Sequence, residues 1–167
     1  GLMKLPTLKN KIRSGTSASR NAARCFLRRQ QIEDKDIERV YYTFDGIADY
    51  IVIPKVSLVA DDTVEVAFVC SLLNASDDRN ILTGDETDPS SPSAYFQLKA
   101  SNLLMYSASV FNRMTVNGVE HDNLSFTPEI GVEYKITLNC YAQGNINGFG
   151  ARTRYGNGLS DFPIYDV

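Results

Sequence analysis

The chain has 167 residues, of which 43% are hydrophobic and 22% charged, values typical of one globular domain with a short appendage. No apolar run approaches the roughly 18 residues that a transmembrane helix needs, so no membrane partner is predicted. The net charge of −3 hides an asymmetry, because residues 1–32 carry eight basic and no acidic side chains, whereas residues 33–167 carry nine basic and 20 acidic ones, a net of −11.

Residues 1–38 are predicted to form a basic anchoring arm. A helix is predicted near 17–32 (SASRNAARCFLRRQQI), because a serine can cap its start and its apolar residues form one stripe. We expect the arm to bind an acidic protein surface, and the candidate anchoring residues are Arg13, Arg20, Arg24, Arg28 and Arg29. Nucleic acid is less favoured, since base-stacking aromatics are absent apart from Phe26, and a membrane surface is disfavoured by the lack of large aliphatic side chains.

Residues 39–167 are predicted to form an antiparallel β-sandwich, because turn-forming residues separate β-rich runs along the whole segment. The predicted strands are 40–44, 49–54, 62–71, 79–83, 93–99, 102–107, 110–116, 132–141, 146–153 and 161–167. Asn117-Gly118 is predicted to be a two-residue hairpin turn, since both positions need positive φ.

Three of these runs alternate between apolar and polar residues, which predicts one buried and one wet face. The residues predicted to face the core are Val64, Val66, Phe68 and Cys70; Phe96 and Leu98, with Tyr95 and Gln97 on the opposite face; and Tyr134, Ile136, Leu138 and Cys140. Cys25, Cys70 and Cys140 show no metal or redox spacing. Buried thiols are therefore favoured over a Cys70–Cys140 disulfide, and a reducing cytoplasm is the expected place of synthesis.

Residues that carry catalysis are not recognisable in the chain. His121 is the only histidine, so a Ser/His/Asp or Cys/His site would have to use it, and its polar surroundings predict an exposed loop residue instead. Zinc sites with several His or Cys ligands are excluded by composition, and no strand carries the paired carboxylates of a glycosidase. We therefore predict no enzymatic activity.

The stretch FDGIADYIVIP (residues 44–54) resembles the opening strand of laminin G-like, concanavalin A-like jelly-roll domains. TVEVAFVCSL, EYKITLNCYA and FGARTRYGNGLSDFPIYDV resemble later strands of that family in the same order. The resemblance implies a jelly-roll sandwich in which Gly46 supplies an unusual backbone conformation and Asp45 and Asp49 bond to nearby amides. Tryptophan, usual in the family, is absent, and the last strand stops earlier than in the family, at Val167, so whether the native chain continues is left open.

Related lectins and laminin G-like domains often bind calcium in loops at one end of the sandwich. The loops 74–79 (NASDDR) and 84–89 (GDETDP) offer Asp77, Asp78, Asp85, Glu86 and Asp88 as oxygen ligands. Solvated acidic loops are the favoured interpretation, so no cofactor is predicted and calcium is kept as the alternative.

Jelly rolls that follow a basic arm resemble domains of bacteriophage tail and fibre proteins. This resemblance implies a virion protein whose arm binds other virion proteins and whose sandwich contacts host-surface glycan or protein, with self-association in the assembly. The alternatives are a head or collar decoration protein that binds no glycan and a free carbohydrate-binding lectin.

Overall fold

The structure, a computed structural model, describes residues 42–73, 76–150, 161–165 and 167, and those from Thr43 onward belong to one compact unit. The predicted arm over 1–38 and its helix lie outside the described residues. Within the described part no helix is long and apolar enough to span a membrane. The strands of this part are β1 (Ile51–Leu58), β2 (Thr63–Val69), β3 (Arg79–Thr83), β4 (Phe96–Leu98), β5 (Leu104–Tyr106), β6 (Phe111–Val116), β7 (Val119–His121), β8 (Glu133–Cys140) and β9 (Gly144–Phe149).

The strands form two antiparallel sheets that enclose a common core. One sheet has five strands in the order β1-β9-β3-β4-β5, and the other has four in the order β2-β8-β6-β7. Phe68 of the four-stranded sheet contacts Phe96 of the five-stranded sheet, with ring centroids 6.4 Å apart. The predicted antiparallel β-sandwich is therefore confirmed.

The pairing of β2 with β8 shows why the alternating sequence folds this way. Val66 lies opposite Ile136 and Phe68 lies opposite Tyr134, and all four side chains are buried. Residues directly opposite in an antiparallel pair share a face, so the two apolar rows merge into one core surface. The predicted core rows of both strands are confirmed.

The prediction that Gln97 lies on a wet face is wrong, because its side chain is buried. As alternation requires, Gln97 lies on the opposite face of β4 from Phe96. Its neighbours in the adjacent strands are Asn80 and Met105. Asn80 is also buried, and the Gln97 amide lies 3.9 Å from the Met105 sulfur. Alternation predicts which face a side chain takes, but it does not predict whether that face is covered.

The Asn117-Gly118 hairpin turn is confirmed, with φ of 49° and 83° at the two residues. Asn117 also mimics a strand residue toward β8, since its backbone N–H donates to the Lys135 carbonyl and its side-chain oxygen accepts the Lys135 N–H, each at 2.8 Å. The turn leads directly into β7. This strand of three residues was too short to be predicted.

The strand predicted over 40–44 is wrong for Thr43 and Phe44, which lie outside any strand. One oxygen of Asp45 accepts the next backbone N–H groups, those of residues 47, 48 and 49, at 2.8, 2.9 and 3.1 Å. Gly46 has φ of +73°. The backbone amides here therefore bind a side chain instead of a neighbouring strand, as the family resemblance implied for Asp45 and Gly46.

The first strand, predicted over 49–54, instead runs from Ile51 to Leu58 and continues through Pro54. It can do so because β1 is the edge strand of its sheet, where a proline need not donate a hydrogen bond to a neighbour. Its pairing with β9 shifts between Val52 and Val56. Proline therefore marks a bulged edge here, not the end of the strand.

Residues 161–165, called the closing segment below, lie along the free edge of β2. The Val69 N–H donates to the Pro163 carbonyl at 3.1 Å, and the Tyr165 N–H donates to the Ala67 carbonyl at 2.6 Å. Phe162 and Ile164 are buried. The strand predicted over 161–167 is thus a short pairing around the Phe68–Ile164 bridge.

We expect Phe68→Ala to lower the free energy of unfolding by about 3–5 kcal/mol, because it removes a fully buried ring that contacts both sheets. The control Val119→Ala, at an exposed position of β7, should change it by less than about 0.5 kcal/mol. Urea unfolding followed by circular dichroism measures both. A loss below about 1 kcal/mol for Phe68→Ala would contradict the central role of this ring.

Candidate functional site

Four loops meet at one end of the sandwich and form a surface, called the rim below, made of residues 59–62, 84–92, 107–110 and 141–143. Backbone bonds join them, since the Asp61 N–H donates to the Cys140 carbonyl at 3.0 Å and the Tyr141 N–H donates to the Val110 carbonyl at 2.9 Å. The Gln143 amide donates to the Ser90 carbonyl. The rim is therefore one connected surface.

Asn145 of β9 holds the longest rim loop, residues 84–92, against the sheet. Its side chain is fully buried. The oxygen accepts the Asp85 N–H at 2.6 Å, and the nitrogen donates to the Ser91 carbonyl at 2.6 Å and the Asp85 carbonyl at 3.2 Å. One amide thus satisfies backbone groups at both ends of the loop, which a buried polar group must do to be tolerated.

Lys55 of β1 pairs with two carboxylates of the same loop. Its ammonium nitrogen lies 2.8 Å from Asp88 and 3.6 Å from Asp85. The hydrogen bond from Lys55, followed by those from Ser90, holds the pKa of Asp88 well below its ordinary value. Hydrogen bonds from Thr87 lower the pKa of Asp85, and the bond to Asp88 raises the pKa of Lys55. All three groups are therefore charged at neutral pH.

The candidate calcium ligands are largely occupied by lysines and by local donors. Asp85 and Asp88 pair with Lys55, while Asp78 pairs with Lys99 and accepts the Ala100 N–H at 2.9 Å. Asp77 and Glu86 are exposed. Within residues 42–73, 76–150, 161–165 and 167, no group of three or more His, Cys, Asp or Glu side chains comes together to hold a metal.

His121 is not the exposed loop residue that was predicted. It is the last residue of β7, lies opposite Met114 and is half-buried. Its ring packs edge-on against Phe126, with centroids 4.8 Å apart. The difference arises because the Asn-Gly turn continues into a strand, and residue 126 then folds back over it.

Cys70 and Cys140 are buried and free, as predicted. The Cys140 N–H donates to the Asp62 carbonyl, so along β2 the two cysteines are about 26 Å apart at roughly 3.3 Å per residue, too far for a disulfide. Burial raises the pKa of both thiols, that of Cys140 to about 11. Both are therefore protonated at neutral pH and unlike reactive thiolates.

Arg79 is a buried charge that the sequence pattern did not indicate. Its guanidinium donates to the Leu72 carbonyl at 2.6 Å and to Asp161 at 3.3 Å, and it lies 5.7 Å from the centre of the Phe162 ring. Arg79 thus ties the closing segment to β3. In the sequence, Arg79 looks like an ordinary polar residue at the start of an apolar strand. Asn145 could have been noticed, because asparagine is uncommon within strands.

Tyr141 is the exposed aromatic side chain of the rim, with 49% of its surface accessible. Its hydroxyl donates to the Ala108 carbonyl at 2.6 Å, while its backbone N–H donates to Val110. The side chain is therefore anchored at both ends although about half of its surface is open to solvent. Sequence alone marked Tyr141 only as the end of a strand.

Arg13, Arg20, Arg24, Arg28 and Arg29 lie outside the described residues. Their role as an anchor remains a prediction.

Comparison with known proteins identified no relative of the chain. No family model matches it, and neither a curated protein nor a solved structure matches it. What the structure shows of the family resemblance is the two-sheet antiparallel sandwich.

We expect Lys55→Gln to raise the pKa of Asp88 toward its ordinary value of 3.8, because the lysine hydrogen bond is the main cause of the lowered pKa. A carboxyl whose pKa is lowered on folding stabilises the fold above its unfolded pKa, and this stabilisation is lost as pH falls toward the folded pKa. Lys55→Gln should therefore lose less stability on acidification below about pH 4.

Carbon-detected NMR titration of Asp88, together with urea unfolding at several pH values, measures both effects. Lys135→Gln is the matched control, because Lys135 pairs with Glu65 on an exposed face and should leave Asp88 unchanged. An unaltered Asp88 titration in Lys55→Gln would contradict the assigned cause.

Asn145→Asp should destabilise the protein by at least about 2 kcal/mol, because it removes the donors to the Ser91 and Asp85 carbonyls and buries a charge. Hydrogen exchange of the amides in residues 84–92 should become faster. Asn147→Asp, in the same strand but half-buried, is the control and should have a smaller effect. Equal losses in the two variants would show that Asn145 does not hold the loop.

Proposed function

We propose that this chain is a structural protein of a bacteriophage virion, of the tail or fibre type, with a laminin G-like, concanavalin A-like jelly roll. The arm attaches the chain to the particle, and the sandwich is exposed so that its rim contacts glycan or protein on the host surface. The main support is the rim itself, a connected loop surface with the fixed, exposed ring of Tyr141.

The chemistry of the rim suits weak contacts that are repeated many times. Its loops present small polar and acidic side chains around one aromatic ring. Such a surface gives each copy modest affinity, and many copies on one particle raise the overall avidity without any new contact. This gain in avidity would support adhesion of a particle to a surface that displays many identical glycans.

The charge distribution supports attachment through the arm. The eight basic side chains within residues 1–32 contrast with the net charge of −11 over the rest of the chain. The positive charge of the arm favours binding to an acidic protein surface. The negative charge of the remaining chain does not favour binding to such a surface. Other virion proteins are the partners that this proposal assigns to the arm.

Immunogold electron microscopy of intact particles from the source, with antibody against the full chain, tests the proposal. We expect label at tail or fibre tips, with preimmune serum as the control. Label over the head or collar would contradict the tail assignment and favour decoration. No label on any particle would contradict the virion assignment and leave a free lectin as the better account.

A further inference from the structure

The end of the sandwich opposite the rim, called the base below, is made of residues 45–50, 71–73, 127–132 and 161. β2 runs from the rim to this end, and β8 begins there. A Cβ atom added to Gly46 would lie 2.9 Å from the Cβ of Asp161, and the Ser71 hydroxyl donates to the Asp161 carbonyl at 2.8 Å. The Gly131 N–H donates to the Cys70 carbonyl at 2.8 Å. The segments of the base therefore adjoin one another.

Each of the three longer segments of the base carries an exposed aliphatic side chain. The accessible fraction is 80% for Ile47, 51% for Leu72 and 56% for Ile130. One oxygen of Asp45 accepts the N–H groups of residues 47, 48 and 49, which fixes the turn that carries Ile47. Single exposed apolar residues are ordinary, but several in adjoining segments indicate a surface that a partner can cover.

The base is also acidic. It contains no lysine or arginine but four acidic residues, Asp45, Asp49, Glu129 and Asp161. Among the described residues, only Asp161 of these four pairs with a basic side chain, that of the buried Arg79. Backbone hydrogen bonds, that from Ala48 first, hold the pKa of Asp45 below its ordinary value, so this carboxyl is charged at neutral pH. A partner that suits the base is therefore both apolar and basic.

Residues 17–32 of this chain combine these two properties. The sequence predicts a helix there with one apolar stripe, and the segment carries four arginines and no acidic residue. A helix of this length extends about 24 Å. The charges are complementary over the whole chain as well, since residues 1–32 carry eight basic side chains and the rest has a net charge of −11. The arm therefore fits the base in charge and in apolar character.

The junction between the arm and the sandwich favours the base of another molecule. Residues 33–38 contain four acidic side chains and one lysine. Binding of the arm to the base of its own chain would require this junction to turn back over Asp45 and Asp49, where like charges repel. Binding to a second copy does not impose that turn.

We propose that the base is the docking site for residues 17–32 of a second copy of this chain. The apolar stripe covers Ile47, Leu72 and Ile130, while the arginines pair with Asp49 and Glu129. The two contacting surfaces differ, so copies join head to tail and form a ring or a filament. The rim stays free in every copy. This inference goes beyond the proposed function and does not depend on the virion assignment.

Sedimentation velocity of the full chain, in the presence of a reducing agent, tests the docking site. We expect species larger than the monomer whose mass rises with protein concentration. Raising the ionic strength from about 0.1 M to about 1 M shortens the screening length from about 10 Å to about 3 Å, so it should weaken the association. A chain that stays monomeric into the high micromolar range would overturn the proposal.

The double variant Ile47→Glu with Ile130→Glu alters the base at two exposed positions. Association should weaken at least about tenfold, because apolar contacts are lost and acidic charge is added. Val59→Glu is the matched control, since Val59 is an equally exposed aliphatic residue of the rim. It should associate like the parent chain. Equal association of the double variant and the control would overturn the assignment of the base.

A mixing experiment tests whether the arm and the base bind each other. A second variant, Arg20→Glu with Arg24→Glu and Arg28→Glu, alters the arm and leaves the sequence of the sandwich unchanged. Each variant alone should be largely monomeric, whereas their mixture should form a dimer and nothing larger, because it offers one intact arm and one intact base. Association that persists in the arm variant, or a mixture without dimer, would overturn the proposal. Particle labelling would still decide the virion assignment separately.

Discussion

The packing of Phe68 against three aromatic rings is the interaction on which the rest of the sandwich depends. Its ring contacts Phe96 of the opposite sheet, Tyr134 of the adjacent strand and Phe162 of the closing segment, with centroids 6.4, 6.1 and 5.5 Å apart. Both sheets and the last described segment therefore meet at one side chain. Burial of these rings away from water stabilises the sandwich. The same contact fixes the register of β2, because a shift by one residue would move Phe68 to the outer face of its sheet.

The edges of the sheets are protected in different ways, which matters for a protein proposed to work in many copies. The closing segment covers β2, and residues 122–126 cover β5 through two backbone bonds between residue 104 and residues 124 and 126. β1, an edge of the five-stranded sheet, carries Pro54, Lys55 and a bulge. Proline, lysine and bulges all oppose edge-to-edge aggregation.

Local patterns in the sequence predicted the sandwich, the core rows of β2 and β8 and the Asn-Gly hairpin, because each depends on neighbouring residues. They did not predict the burial of Gln97, the pairing of Lys55 with Asp88 or the packing of Arg79 against Phe162. These contacts join residues far apart in sequence. Calcium was kept as an alternative for the acidic loops because the local sequence does not show the lysines that neutralise their carboxylates. Those lysines, Lys55 and Lys99, lie far away in sequence.

The longest loop of the rim gains its order from a buried amide and an ion pair. The Asn145 amide bonds to backbone groups of residues 85 and 91, near the two ends of the loop 84–92, and Lys55 pairs with Asp88 of the same loop. A loop of small polar residues would otherwise sample many conformations, and each contact made by it would be weakened by the entropy of ordering. Because the scaffold supplies that order in advance, a partner that contacts this loop would not have to order it.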